Sequence, residues 1–80
     1  MQTDDSRQKA LEVISKLTQE EQLILGGLVN GLSTGDIATG LSIPYIQVER
    51  AKIGLMDKLS AKTTADAVRI GIYANVRWPH

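Results

Sequence analysis

Residues 42–59 read SIPYIQVERAKIGLMDKL and hold most of the side chains in this 80-residue chain with recognisable binding chemistry. Arg50 carries five N–H donors in a rigid fork, suited to two adjacent acceptors on a base edge or a phosphate. Gln47, three residues earlier, offers an amide donor and an amide acceptor. Lys52, Lys58 and Lys62 add point charges. Covalent or acid–base catalysis has little to work with. Cysteine is absent, the single histidine is the terminal His80, and no glycine-rich phosphate loop follows a strand pattern. The paired carboxylates Glu20 and Glu21 sit in the string TQEE, where helix capping explains them better than proton transfer. No enzymatic activity, metal site or cofactor is expected.

Those side chains must be positioned by one small domain. At 42% hydrophobic residues the chain can fold, but a core of this size is marginal alone, and oligomerisation is a common remedy. The lack of cysteine excludes disulfides and thiolate metal sites and fits a reducing, cytoplasmic setting. No apolar run approaches the roughly 20 residues of a membrane span, so no membrane partner is expected. The N-terminal MQTDDSRQK is polar and acidic, unlike a signal peptide. Nine basic and nine acidic residues cancel, whereas many small nucleic-acid-binding domains are distinctly basic. The charges are unevenly spread. Residues 1–36 hold six acids against three bases, and residues 50–80 hold six bases (Arg50, Lys52, Lys58, Lys62, Arg69, Arg77) against Asp57 and Asp66.

Apolar residues recur at helical spacing with short breaks, which predicts an all-α fold. A first helix is expected from near Ser6 to residue 16, with Ala10, Leu11, Ile14 and Leu17 as its stripe. Thr18 and Glu21 form a capping box for a second helix, over 18–30, with Ile24, Leu25 and Leu28 inward. Gly26-Gly27 weakens that helix and suggests close approach of another helix, and Gly31 fits a left-handed cap. Ser33 and Asp36 repeat the box before a third helix, over 34–41, with Ile37, Ala38 and Leu41 inward. Ser42-Ile43-Pro44 is a break, with Pro44 suited to the first turn of a fourth helix, over 44–60. Thr63 and Asp66 repeat the capping grammar before a fifth helix, over 64–75.

This register of Leu17-Thr18, Glu21, Gly31-Leu32-Ser33, Ile37-Ala38, Leu41, Val48 and Lys58-Leu59 resembles the LuxR/FixJ-type (GerE-like) helix-turn-helix domain of bacterial transcriptional regulators. The tail AKTTADAVRIGIYANV is most similar to the FixJ branch. The resemblance covers about residues 17–76. It implies a four-helix helix-turn-helix domain over 17–76, an added N-terminal helical extension over 1–16 and a short tail over 77–80. The initial methionine favours a stand-alone member. The resemblance further implies that helix 44–60 enters the major groove of double-stranded DNA, and that the last helix forms a homodimer.

On a helical wheel, Val48, Leu55 and Leu59 share the core face of helix 44–60. Ile46, Arg50, Ile53 and Asp57 share the opposite face, flanked by Gln47, Glu49 and Gly54. In the resembled role, Gln47 and Arg50 meet base edges or phosphates, the isoleucines meet thymine methyls, and Gly54 allows close backbone approach. Tyr45, Thr34, Lys52, Lys58 and Lys62 are candidate backbone contacts, although Lys58 is as readily explained as a solvated charge. The sequence departs from the family, which often has Ser at the place of Pro44, Thr at Gln47, a basic residue at Glu49 and His at Ala51. A carboxylate at Glu49 repels phosphate unless it accepts from a cytosine amine. An alternative therefore stands beside DNA binding: a module that keeps the fold and binds another regulator or RNA polymerase through Tyr45, Ile46 and Ile53 around Arg50. Ala65, Val68, Ile72 and Asn75 are the expected dimer stripe. Trp78 either adds to that contact or caps the edge of the core.

Overall fold

A computed structural model describes residues 2–79, with side chains described from Arg7 onward; the terminal His80 lies outside the described residues. The elements are α1 (Gln2–Ile14), α2 (Gln19–Val29), α3 (Thr34–Leu41), α4 (Tyr45–Lys58) and α5 (Thr64–Tyr73). No strand occurs among the described residues. The fold is therefore all-α, four core helices with a further helix at the N-terminus.

Helix α1 starts ahead of the expected Ser6, since residues 2–5 contain neither glycine nor proline to break it. Ala10, Ile14 and Leu17 are buried, but Leu11 is 40% exposed. Leu11 sits about 100° around the helix from Ala10 and falls off the stripe; Val13, on the other flank, packs against the core instead.

The local signals at the helix starts work largely as read. The amide of Glu21 donates to Thr18 Oγ1 at 3.1 Å and the amide of Thr18 donates back to Glu21 Oε1 at 2.8 Å. Ser33 and Asp36 form the same reciprocal pair at 3.1 and 3.4 Å. The third pair is only half formed. The amide of Asp66 donates to Thr63 Oγ1, but Asp66 Oδ2 accepts from the amide of Lys62 rather than that of Thr63. Pro44 stands one position earlier than expected, at the N-cap of α4, and makes no side-chain cap bond.

Each of α2 to α5 is followed, within two positions of its last residue, by a residue with positive φ: Gly31, Ser42, Ser60 and Asn75. At all four, the following amide bonds the carbonyl five residues back (Leu32 to Gly27, Ile43 to Ala38, Ala61 to Met56, Val76 to Gly71), closing the carbonyls that a helix end leaves open. These caps stop α4 at Lys58 and α5 at Tyr73, short of the expected 60 and 75.

Ile24, Leu25, Ile37, Val48 and Leu55 form the fully buried centre, joined by Ala67. Helix α2 packs on both α4 and α5, α3 packs on α4, and α1 lies along α5. Gly71 and Ala67 are spent on this packing within the chain: a Cβ at Gly71 would reach Val29 and Leu25 of α2. The chain then doubles back. A Cβ at Gly26 would strike the Arg77 backbone, one at Gly27 would strike Ile37 and the Trp78 ring, and one at Gly40 would strike that ring again. The glycine pair thus admits α3 at Gly27 and the C-terminal segment at both positions. Of the two roles open to Trp78, the packing supports the core-edge cap.

Candidate nucleic-acid interface

Helices α3 and α4, joined at Ser42–Pro44, form the helix-turn-helix, with α2 behind them. The core side of α4 is fixed by Val48, Leu55 and Leu59, all buried. The opposite side turns outward. Ile53 is 72% exposed, Ile46 and Tyr45 are each 57% exposed, and Arg50 and Asp57 are exposed. Glu49 is half-buried at the edge of this face.

Three of the polar candidates are held by the fold. Gln47 Nε2 donates to Glu20 Oε2 of α2 at 2.6 Å. Lys52 Nζ donates to Thr34 Oγ1 at the start of α3 at 3.0 Å. Lys58 Nζ pairs with Glu21 Oε1 at 2.7 Å. Lys58 is therefore neither simply solvated nor a free charge for phosphate. Glu21 is 92% buried by this arrangement, as its residual exposure is 8%. Burial by itself raises its pKa, but the hydrogen bonds from Lys58 and Thr18 and the Lys58 charge outweigh it and hold the carboxyl below its ordinary value. Gly54 also plays a different part from that expected. A Cβ there would sit 3.0 Å from Glu21 Oε2, so its close approach is to the α2 carboxylate.

The outward group that remains is small: Ile46, Arg50 and Ile53, with Tyr45 at the helix start and Asp57 toward its end. Arg50 forms no hydrogen bond or ion pair with the described residues. Lys62, in the α4–α5 loop, is exposed. The tether from Glu20 to Gln47 spans 27 residues, and no local spacing rule could have flagged it.

The expected dimer stripe lies apart from this face. On α5, Ala65, Ile72 and Asn75 are exposed and Val68 is half-buried. The neighbouring side of α5 is taken by α1, where Ala10 and Val13 line a shallow groove with Ile70 and Tyr73. Among the described residues, no group of His, Cys, Asp or Glu is arranged to hold a metal, and no helix is long and apolar enough to cross a membrane.

Comparison with known proteins agrees with this arrangement. The family model "GerE: Bacterial regulatory proteins, luxR family" matches residues 15–70. The chain is 34% identical over 73 residues to the transcriptional regulatory protein FixJ of Azorhizobium caulinodans, covering 91% of this chain and 35% of FixJ. It is 37% identical over 62 residues to the transcriptional regulatory protein TdiR of Thauera aromatica, covering 78% of this chain and 27% of TdiR. It is 42% identical over 57 residues to the methanol utilization control regulatory protein MoxX of Paracoccus denitrificans, covering 71% of this chain and 26% of MoxX. No solved structure matches. The chain thus spans between 26% and 35% of these relatives' length. With a helix-turn-helix of this register and a family match over most of its residues, the chain belongs to the luxR family of bacterial regulatory proteins.

Proposed function

We propose that this chain binds double-stranded DNA in transcription regulation, in the cytoplasm, by laying α4 in the major groove, and that it works as a homodimer through the outer face of α5. One observation carries the reading: the side of α4 opposite the core is exposed and centres on an untethered guanidinium, Arg50. Arg50 then takes a guanine edge or a phosphate. Lys62 and the hydroxyl of Thr34, which still has its proton to donate, supply backbone contacts. Lys52 and Gln47 are held in place by Thr34 and Glu20 and act at the margin of the contact.

The experiment is a titration of random-sequence and enriched duplexes at several salt concentrations. Binding weakens as salt rises, and Arg50→Ala cuts affinity by about tenfold or more while the fold is kept. An absence of binding to any duplex at low salt defeats the reading.

A second reading draws on the exposure of Ile53, at 72%. Such an apolar side chain also suits a protein partner, another regulator or RNA polymerase, docking on the same face. In that case Ile53→Asp abolishes capture of the partner, and no duplex is bound by the unaltered chain.

A further inference from the structure

We infer that α4 reads thymine C5-methyl groups with Ile46 and Ile53, on either side of a guanine read by Arg50, so that base discrimination by this chain has an apolar share comparable to its polar one. The inference rests on the DNA-binding role proposed for α4 and specifies the half-site that such a helix selects.

Gln47, Lys52 and Lys58, three side chains able to reach outward from α4 with polar atoms, are bonded to Glu20, Thr34 and Glu21. What faces outward unengaged is two isoleucines with a guanidinium between them, with Tyr45 at the start of the helix and the Asp57 carboxylate toward its end. An isoleucine over a phosphate, or over a donor or acceptor on a base edge, strips water from that group and returns no hydrogen bond. Along the major-groove edges, the apolar feature offered by the bases is the thymine methyl.

The spacing agrees. At about 1.5 Å of rise per residue, Ile46 and Ile53 are roughly 10 Å apart along the helix, close to three base steps of about 3.4 Å each. At about 100° per residue they differ by only about 20° around the axis, so both face one groove floor. Arg50 lies between them along the axis and about 40° around from Ile46, within reach of an intervening guanine. The charge of the face points the same way. Glu49 and Asp57 flank the single guanidinium, so phosphate attraction from α4 is weak and discrimination falls to Arg50 and methyl contact.

The test uses the full chain to enrich duplexes from a random library, then remakes the enriched duplex with deoxyuridine in place of each thymine in turn. Uracil keeps every hydrogen-bonding group and loses only the methyl. Two thymines about three steps apart, flanking a guanine, are expected to matter, each substitution weakening binding about fourfold. Ile46→Ala removes the effect at one of these positions and Ile53→Ala at the other. Both side chains are exposed, so both variants keep the thermal unfolding midpoint of the unaltered chain. An enriched duplex that binds equally well with uracil throughout overturns the inference and leaves the DNA-binding role standing. If no duplex is enriched and none is bound at low salt, both fall.

Discussion

The carboxylate oxygen Oε1 of Glu21 lies 2.7 Å from Lys58 Nζ and also accepts from the amide of Thr18 at 2.8 Å. One oxygen therefore closes the capping box of α2 and ties the last turn of α4 to it, over the bare Cα of Gly54. The outward face of α4 is presented at a fixed angle to α2 because of this junction and the buried side chains beneath it. Replacing Glu21 by Gln keeps an acceptor but loses the charge, and is expected to cost about 1–2 kcal/mol in denaturant-induced unfolding.

The same carboxyl makes a pH prediction. Its folded pKa is held below the ordinary 4.5. A group with a depressed folded pKa contributes stability that is fully present above its unfolded value and is lost as pH falls through the folded one. The stability gap between the unaltered chain and Glu21→Gln should therefore be constant near neutrality. It should narrow as pH drops below the ordinary carboxylate range. Unfolding midpoints in urea measured from pH 7 down to pH 3 would show this, and a gap that widens on acidification contradicts the assigned role.

Trp78 gives a prediction that separates two kinds of glycine. It is the single tryptophan, half-buried against Gly27 and Gly40. Trp78→Ala should cost about 2 kcal/mol, less than a fully buried tryptophan loses. Gly40→Ala should also destabilise, because its methyl meets the ring. In the Trp78→Ala background that obstacle is gone, and Gly40→Ala should become neutral or stabilising by up to about 1 kcal/mol from helix propensity. Gly26→Ala should stay damaging in both backgrounds, since its Cβ meets the backbone of Arg77. Chemical denaturation of both glycine variants and their parent chains in the two backgrounds decides it, and equal costs for Gly40→Ala in both backgrounds count against the packing described.

The left-handed caps offer a stabilising change. Ser60 follows α4 with φ 54 and is exposed. A residue with a Cβ is strained there and glycine is not, so Ser60→Gly should stabilise by about 0.5–1 kcal/mol, net of the entropy that glycine adds to the unfolded chain. Thermal unfolding with an upward shift is the expected result. Gly31→Ala is the reverse case: nothing crowds its Cβ, but φ is 79, so it should lose about the same amount.

The contrast between these features explains how far the sequence could be read. The starts of α2 and α3 are legible because a cap is a contact over three residues, and Thr18–Glu21 and Ser33–Asp36 carry it entirely in their types. The inward faces of α2, α3 and α4 were legible through periodicity. Leu11 was misplaced because hydrophobicity says a residue can be buried without saying which flank of a stripe has a neighbour. The outward face of α4 is legible as an exposed face. Its division into tethered and free side chains was not legible, since Gln47–Glu20, Lys52–Thr34 and Lys58–Glu21 join residues 18 to 37 apart whose meeting depends on the packed fold. Gly54 and Trp78 belong to the same group: their partners arrive from distant segments.

The outer face of α5 carries the last prediction. Ile72 is 59% exposed, with Ala65 and Asn75 exposed beside it and Val68 half-buried. The other sides of the helix are already covered, by α2 through Ala67 and Gly71 and by α1 through Ile70 and Tyr73. An isoleucine left outward between small and polar neighbours suits a second α5 related by twofold symmetry, where each Ile72 meets the same patch on the other copy. Ile72→Glu places a carboxylate in that contact twice and should shift the chain to monomer, with little change in its unfolding midpoint once dissociation is allowed for, because Ile72 lies outside the core. Sedimentation across a concentration series reads this directly. If the unaltered chain is monomeric up to high micromolar concentration, the α5 face is not a self-association surface of the free chain.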